Sequence, residues 1–491
     1  MLSTRISRGI RRCAYSTKSS IPIVFHPSKL PRTVTADEAV RVIGSNSNVY
    51  VHTAAACPTV LLDALARRLD DAPANSVTNV RLHHLHIEGP TPFLRHPQNI
   101  RSNSLFIGAN LRDAVNRGDA DATSIFLSEI PLLFRRKKLP LDIALVTISP
   151  FDQHGFASLG VSVDVALAAV ESAKQVIAVV NPSMPRTHGR GLIHASNINL
   201  IVHSDTPIYE KHEAPATAGT ASDREAEISA RIGEHISAII PDGACLQMGI
   251  GGIPDAVLAS LVRTGQQKLG IHTELLGPGV LDLIASGQVT NDQKDFMPGK
   301  ISAAFCVGTR ELYDFIDDNP MFHFDESSVI NDPAVIKRND RTVSINSCIE
   351  VDLTGQIVSD SIGTRMFSGF GGQLDFARGA ALSKDGLPII ALPSATAKGE
   401  SRIVPFVKEG AGVVTTRAHA HFICTEYGIV DLFGRSLRER ALLLTSIAHP
   451  NHRQSLEAAT IKRFGRLQWQ GFMPHADVPA KASGSSPETK L

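Results

Sequence analysis

The chain has 491 residues, 43% of them hydrophobic and 20% charged, with a formal net charge of +1. That length and balance describe a globular protein of two or three domains with ample core, and near-neutrality argues against a nucleic-acid partner. No run of 18 uninterrupted apolar residues occurs, so no transmembrane helix is expected; the six cysteines (Cys13, Cys57, Cys245, Cys306, Cys348, Cys424) form no CxxC pair, against a disulfide framework or zinc ribbon.

The first 20 residues carry Arg5, Arg8, Arg11, Arg12 and Lys18, and no acid occurs before Asp37. An Arg- and Ser-rich leader without an apolar block has the features of a mitochondrial transit peptide rather than a secretory signal, the alternative being a basic tail. Thr35-x-x-Glu38 then reads as a capping box. "SNVYVHTA" predicts a strand, and "PTVLLDALARRL" a helix with Leu61, Leu65 and Leu69 on one face. "DIALVTISPFD", "QVIAVVNPSMP" and "INLIVHSD" predict strands and "VDVALAAVESAK" a helix, an alternation that implies parallel sheets covered on both faces.

A polar, aperiodic stretch at about 212–222 ends in Ser222-x-x-Glu225, a second capping signature, and marks a domain boundary. Beyond it the expected order is helix "EAEISARIGEHISAII", strand "ACLQMGI", helix "IPDAVLASLV" and strand "LGIHTE". "CIEVDLTGQIV" predicts a hairpin turning at Thr354-Gly355. Ser436-x-x-Glu439 opens another helix. The organisation expected is a leader over 1–20, α/β domains over 21–215 and 222–480, and a disordered tail over 481–491.

Ligand sites in open α/β sheets lie at the carboxyl ends of strands. Two glycine loops stand there: "QMGIGGIPD", with Gly249, Gly251 and Gly252, and "SGFGGQLDFARG", with Gly369, Gly371 and Gly372. Each lets backbone N–H groups approach a ligand at a helix N-terminus, and neither is a dinucleotide fingerprint or a P-loop. Glu274 lies 24 residues beyond Ile250, about one βα unit, with no Lys or Arg in the following ten. It can be a general base, a nucleophile toward an acyl group, or an acid stabilised by a helix dipole. His83, His84 and His86, and His419 and His421, read as hydrogen-bonded or solvated strand residues more readily than as metal ligands. Cys245 reads as a buried thiol, and the RRKK run at 135–138 as a solvated helix end. No GxSxG elbow occurs.

The stretches "HGFASLGVS", "NPSMPRTHG", "QMGIGGIPDAV", "GIHTE", "SGFGGQLDFARGA", "SATAKGESRIVP", "TTRAHAHFICTEYGIVDLFG" and "LRERALLLTSIAHP" together resemble the acetyl-CoA hydrolase/transferase family, in the family's order and over nearly the whole chain after the leader. The likeness is greatest to its mitochondrial and hydrogenosomal acetate:succinate CoA-transferases. The resemblance implies two CoA-transferase-like α/β domains with the active site between them, and a ping-pong transfer (acetyl-CoA + succinate to acetate + succinyl-CoA) through a glutamyl-CoA thioester on Glu274. It implies a CoA loop of Gly249, Ile250, Gly251, Gly252 and Ile253, further CoA contacts at Ser368, Gly372 and Lys398, and oxyanion-hole donors at the backbone N–H groups of Ile250 and Gly372. Coenzyme A is a substrate, with no permanently bound cofactor and no metal; a homodimer in the mitochondrial matrix or a related organelle is implied, without membrane or nucleic-acid partners. Ser368 stands where some relatives have Asn, and Gln373-Leu374 where others have Ser-Gly or Asn-Gly. Acetyl-CoA hydrolysis is the alternative activity, and non-catalytic acyl-CoA sensing a remote one.

Overall fold

The computed structural model describes residues 30–71, 77–211 and 220–465; the expected leader and tail lie outside them. Two eight-stranded sheets organise the chain. The first contains β1 (Arg32–Thr33), β2 (Asn48–Val51), β3 (Val80–His84), β4 (Ile100–Ser104), β5 (Asp121–Ala122), β6 (Ile143–Ile148), β7 (Gln175–Val180) and β8 (Leu200–His203). The second contains β9 (Cys245–Met248), β10 (Gly270–Leu276), β11 (Ile301–Cys306), β12 (Phe322–Phe324), β13 (Thr342–Ser347), β14 (Leu387–Ala391), β15 (Phe422–Thr425) and β16 (Gly428–Asp431).

The spatial orders are β5-β4-β3-β2-β6-β7-β8-β1 and β12-β11-β10-β9-β13-β14-β15-β16. Seven strands of each follow one plan: the first strand is central, the next three fan to one side and the last three to the other. All pairs within the plan are parallel, and only β15–β16 in these sheets is antiparallel. Chain direction therefore reverses its walk beside β2 and again beside β9, opening a crevice at the strand ends in each sheet.

The residues account for these elements. β6 and β11 are buried along their whole length, as strands covered on both faces require. Leu61, Leu65 and Leu69 are buried along one stripe of the helix Thr59–Asp70. Thr35–Glu38 and Ser436–Glu439 form reciprocal capping boxes, and Glu350–Asp352 pairs antiparallel with Ile357–Val358 across Gly355. The cap expected at Ser222 is displaced: the helix spans Thr220–Ser237, so Ser222 lies inside its first turn.

The halves share one core. Val161 O accepts from Cys306 N at 2.8 Å, and Ala304 O accepts from the N–H groups of Val163 and Asp164, stitching a first-half segment onto β11. No helix among the described residues is long and apolar enough to cross a membrane.

Candidate active site

Glu274 is the fifth residue of β10, which runs on to Leu276 instead of ending at the glutamate. The side chain is half-buried where the halves meet. Asn331 Nδ2 donates to its Oε2 at 2.6 Å, and the Gly372 N–H donates to the same carboxyl. Burial pushes the Glu274 carboxyl up to about 7, and the nearby Asp164 carboxyl pushes the same way; the two hydrogen bonds pull it down. Among the described residues no Lys or Arg forms an ion pair with it.

Two further acids crowd the same region. Asp164, wholly buried, accepts from Ser162 Oγ at 2.7 Å and from the N–H groups of Val165 and Ala166, yet burial raises it to about 6. Asp375 accepts from Ser128 Oγ at 3.1 Å, and burial, with Glu274 adding to it, raises it to about 8. Asp164 and Ser128 come from the first half, Asp375 from the second. The surroundings of Glu274 are thus dry and short of cations, a setting that disfavours ionisation and strengthens a carboxylate nucleophile once ionised.

The second glycine loop sits directly on Glu274. A Cβ at Gly372 would stand 2.0 Å from Glu274 Oε2 and 2.3 Å from Asn331 Nδ2; only glycine fits. Gly371 lies against the Phe106 ring and Gly369 against the Phe106 backbone, while Leu127 N–H donates to Gly371 O at 3.1 Å. Gly372 is the N-cap of the helix Gln373–Leu382, so its N–H belongs to the electropositive helix end.

The first glycine loop opens on a cleft of about 1080 Å³. Ile250, Gly251, Gly252 and Ile253 line it below the helix Gly252–Thr264, facing Ser347 and the Pro393–Ala397 segment. Those segments lie at the carboxyl ends of β9, β13 and β14, so the cleft is the second sheet's topological crevice. Gly251 has φ +123° with open space where a Cβ would be. Ile250 joins the two places: it lines the cleft, and its Cγ2 stands where Gly277, three residues past Glu274, would carry a Cβ. Gly249 lies beneath, beside Thr273 and Leu275.

Other expected contacts stand further off. Ser368 Oγ donates to Ser359 O at 3.1 Å, so a local turn uses it. Lys398 is exposed, next to Ala397 on the cleft rim. The asparagine touching Glu274 is Asn331, which follows the four-residue helix Ser327–Ile330; such a helix has no periodicity to betray it in sequence.

The remaining candidates are used structurally. His83 bonds Asn48 and Asn103, and His84 bonds Ser102 and Leu85 O. His419 meets Thr416, and His421 packs on Phe433. The Cys245 thiol is buried in β9 and raised to about 11, far from a thiolate nucleophile at neutral pH. The RRKK run is exposed at the end of its helix, as expected, and Arg135 is in addition paired with Glu171 and Glu326.

A carboxyl raised by burial, a helix N-terminus beside it and a glycine-lined cleft next to it suit an α/β enzyme of acyl-group chemistry. The chain belongs to the acetyl-CoA hydrolase/transferase family, whose N-terminal domain model matches residues 27–210 and whose C-terminal domain model matches residues 308–460. It is 46% identical to the succinyl-CoA:acetate/propanoyl-CoA:succinate CoA transferase of Fasciola hepatica, over 92% of this chain and 93% of that one. It is 44% identical to the 4-hydroxybutyrate coenzyme A transferase of Clostridium kluyveri, over 88% and 98%. The crystal structure of RipA from Yersinia pestis matches with a TM-score of 0.79 at 34% identity, over 89% and 98%. The acetyl-CoA hydrolase of Yarrowia lipolytica is 25% identical. Relatives named as CoA transferases, at much higher identity than the hydrolase, support a CoA-transferase function for this enzyme.

Proposed function

We propose that this enzyme moves CoA between a short-chain acyl-CoA and a carboxylic acid, acetyl-CoA and succinate being the pair favoured by the likeness to the Fasciola enzyme, with Glu274 as the covalent carrier. The observation that carries the proposal is the Glu274 carboxyl, held by Asn331 and Gly372 with no ion pair to Lys or Arg among the described residues, with Ile250 reaching from the glycine-lined cleft to Gly277 three residues past it.

The chemistry follows from that placement. An ionised Glu274 oxygen attacks the thioester carbon, and the oxyanion formed is stabilised by N–H donors from Gly372 and Ile250. Loss of one such donor costs about 3–4 kcal/mol in comparable sites. Collapse expels CoA thiolate and leaves an acyl-glutamyl anhydride. The thiolate then attacks the Glu274 carbonyl carbon, the first acid leaves as carboxylate, and Glu274 holds CoA as a thioester. The second acid's carboxylate attacks that thioester, again expelling thiolate and forming a new anhydride. Attack of thiolate on its substrate-side carbonyl releases the new acyl-CoA and restores Glu274. No redox step enters, and CoA itself is the only coenzyme used.

Remote contacts along the cleft supply binding energy that offsets desolvation at the reacting carbon. The loop 249–253 takes the coenzyme in this reading, with Ser368 and Lys398 as outer contacts. Water reaching the anhydride would turn transfer into hydrolysis, so the dry surroundings of Glu274 favour transferase over hydrolase. The proposal also takes the chain as two domains over 21–215 and 222–480. A leader over 1–20 for a mitochondrion or related organelle, and a homodimer as the working form, complete it.

Borohydride treatment after acyl-CoA, followed by peptide mapping, tests the carrier. Reduction is expected at residue 274 only when acyl-CoA has been added and acid withheld. A reduced adduct on another side chain would overturn the assignment.

A further inference from the structure

Arg135 ends the helix Ile130–Arg135 in the first half and opens the RRKK run. Its Nη1 and Nη2 donate to the two carboxylate oxygens of Glu326 at 2.7 and 2.6 Å, and its Nε donates to Glu171 Oε2 at 2.9 Å. The Glu326 side chain is 1% exposed, and the partners are 191 residues apart in sequence. Arg135 itself is partly exposed, so solvent screening and the desolvation of Glu326 consume much of the pair's Coulombic gain. What a two-pronged arginine–carboxylate contact does supply is direction.

Glu326 is the N-cap residue of the helix Ser327–Ile330, and Asn331 follows it. Four residues form no stable helix alone, so external ties set this turn's geometry. From the first half, Asp164 O accepts from Ser327 N at 2.8 Å and Leu127 O accepts from Ser327 Oγ at 2.9 Å. From β10, His272 Nε2 bonds Ile330 O at 2.7 Å. The turn that presents Asn331 to Glu274 is therefore gripped by the first half on one side and by the strand of Glu274 on the other.

We infer that Arg135 is a positioning residue for the transfer reaction: its grip on Glu326 aims the Asn331 amide at Glu274 across the junction of the halves. This rests on Glu274 being the nucleophile. Loosening the grip weakens a hydrogen bond that favours the ionised carboxyl, so Glu274 loses reactivity and takes up a proton more readily. The coenzyme cleft, lined by 250–254 and 393–397, contains none of these ties, so coenzyme binding is left nearly unchanged.

Kinetics of R135M, R135K, N331A and R135M/N331A, each over a pH series, test this. R135M is expected to lower kcat by about 10–100-fold, the scale of a small misplacement, with KM for acyl-CoA changed by less than about threefold. The acidic limb of kcat/KM should move up in R135M as it does in N331A, by about half a unit or more. R135K should recover part of the lost kcat. The double variant should be no worse than N331A within about threefold, since both act through one contact. An unmoved acidic limb, or losses that multiply, would overturn the inference. If R135M does not fold, E326Q takes its place with the same expectations. E274Q separates the two levels: transfer surviving E274Q would remove the nucleophile itself, whereas an inactive E274Q with an unmoved limb in R135M removes only Arg135's role.

Discussion

The two sheets share one strand order, yet their central turns differ. After β2 the chain reads His52-Thr53-Ala54-Ala55-Ala56 before the helix Thr59–Asp70, and all five residues are at most 1% exposed. Both nitrogens of His52 are engaged, Nδ1 accepting from Thr147 N and Nε2 bonded to Ser162 O. After β9 the chain reads Gly249-Ile250-Gly251-Gly252, with open space where Cβ atoms at Gly249 and Gly251 would be. One crevice is closed over by alanine side chains, the other lined by an open glycine loop. A repeated frame thus supplies two equivalent turns, and side-chain size decides which is left open. The sealed half is not idle, since Asp164, Phe106, Leu127, Ser128 and Arg135 form much of the wall and support around Glu274.

The comparison would break first at Glu274. Glu274→Gln is expected to lower transfer by about 10³-fold or more, because the attacking group is gone. His83→Asn, on the neighbouring strand of the first half's central β2, should leave kcat within a few-fold. Comparable losses in both would mean that the first half also takes part in the chemistry.

Gly372→Ala comes next. The new methyl would overlap Glu274 Oε2 and Asn331 Nδ2, so about a 10²–10³-fold fall in kcat is expected, the cost of losing an oxyanion donor. Ala55→Ser, in the sealed turn, is expected to lower stability by about 1–2 kcal/mol if its hydroxyl finds no partner, with little change in kcat. A chemical melt and a steady-state assay separate the two effects.

A smaller effect is expected in the pH profile. Attack requires an ionised Glu274, and its carboxyl is raised to about 7. The kcat/KM for acyl-CoA should therefore fall about tenfold per unit below that value and flatten above it. A flat profile between pH 5.5 and 8 would mean that an ionised partner, not crowding and burial, dominates at this site.

Much of the frame is legible in sequence because buried parallel strands and one-faced helices leave simple patterns: "DIALVTI" and "VLLDALARRL" need no partner to be read. The strand Ile100–Ser104 is the counterexample, since Arg101, Ser102, Asn103 and Ser104 carry no strand signal and are ordered by β3 alongside. The first glycine loop was also readable, as was an odd carboxylate at 274, although the residues alone left a helix-dipole role open and only the family likeness pointed to a nucleophile there. Asn331 was not readable: it lies 57 residues from Glu274, and the turn presenting it is shaped by contacts from the other half. Ser368 and Lys398 are the converse case, named by motif alone. Their motif matches, but Ser359 uses the serine hydroxyl and the lysine sits exposed on the rim. Neither family-domain match includes 211–307, where the first loop and Glu274 both lie.

The smallest effect expected is on stability, and its sign differs between buried acids and buried histidines. Glu274 is held at about 7 in the fold against an ordinary value of 4.5, and Asp375 at about 8 against 3.8, both through burial. Between the ordinary and raised values the folded form keeps a proton that the unfolded chain has released. Stability from this source is full below the ordinary values and drains away as pH rises through 7 and 8. In the first half, burial lowers His52, His83 and His84 to about 4 from 6.5. There the unfolded chain gains protons first, so stability is full above 6.5 and is lost as pH falls toward 4. The stability curve should have an acid side set by buried histidines, His272 of the second half among them, and an alkaline side set by buried acids, Asp164 of the first half among them. Glu274→Gln removes one ionisation and should flatten the alkaline side alone. A gain of about 1–2 kcal/mol at pH 8.5, reduced from the full shift because the site is half-buried, corresponds to a Tm rise of about 2–4 °C or less. At pH 4 the variant and the parent should melt together. Equal stabilisation at both pH values would mean that Glu274 is costly for its packing, not its charge.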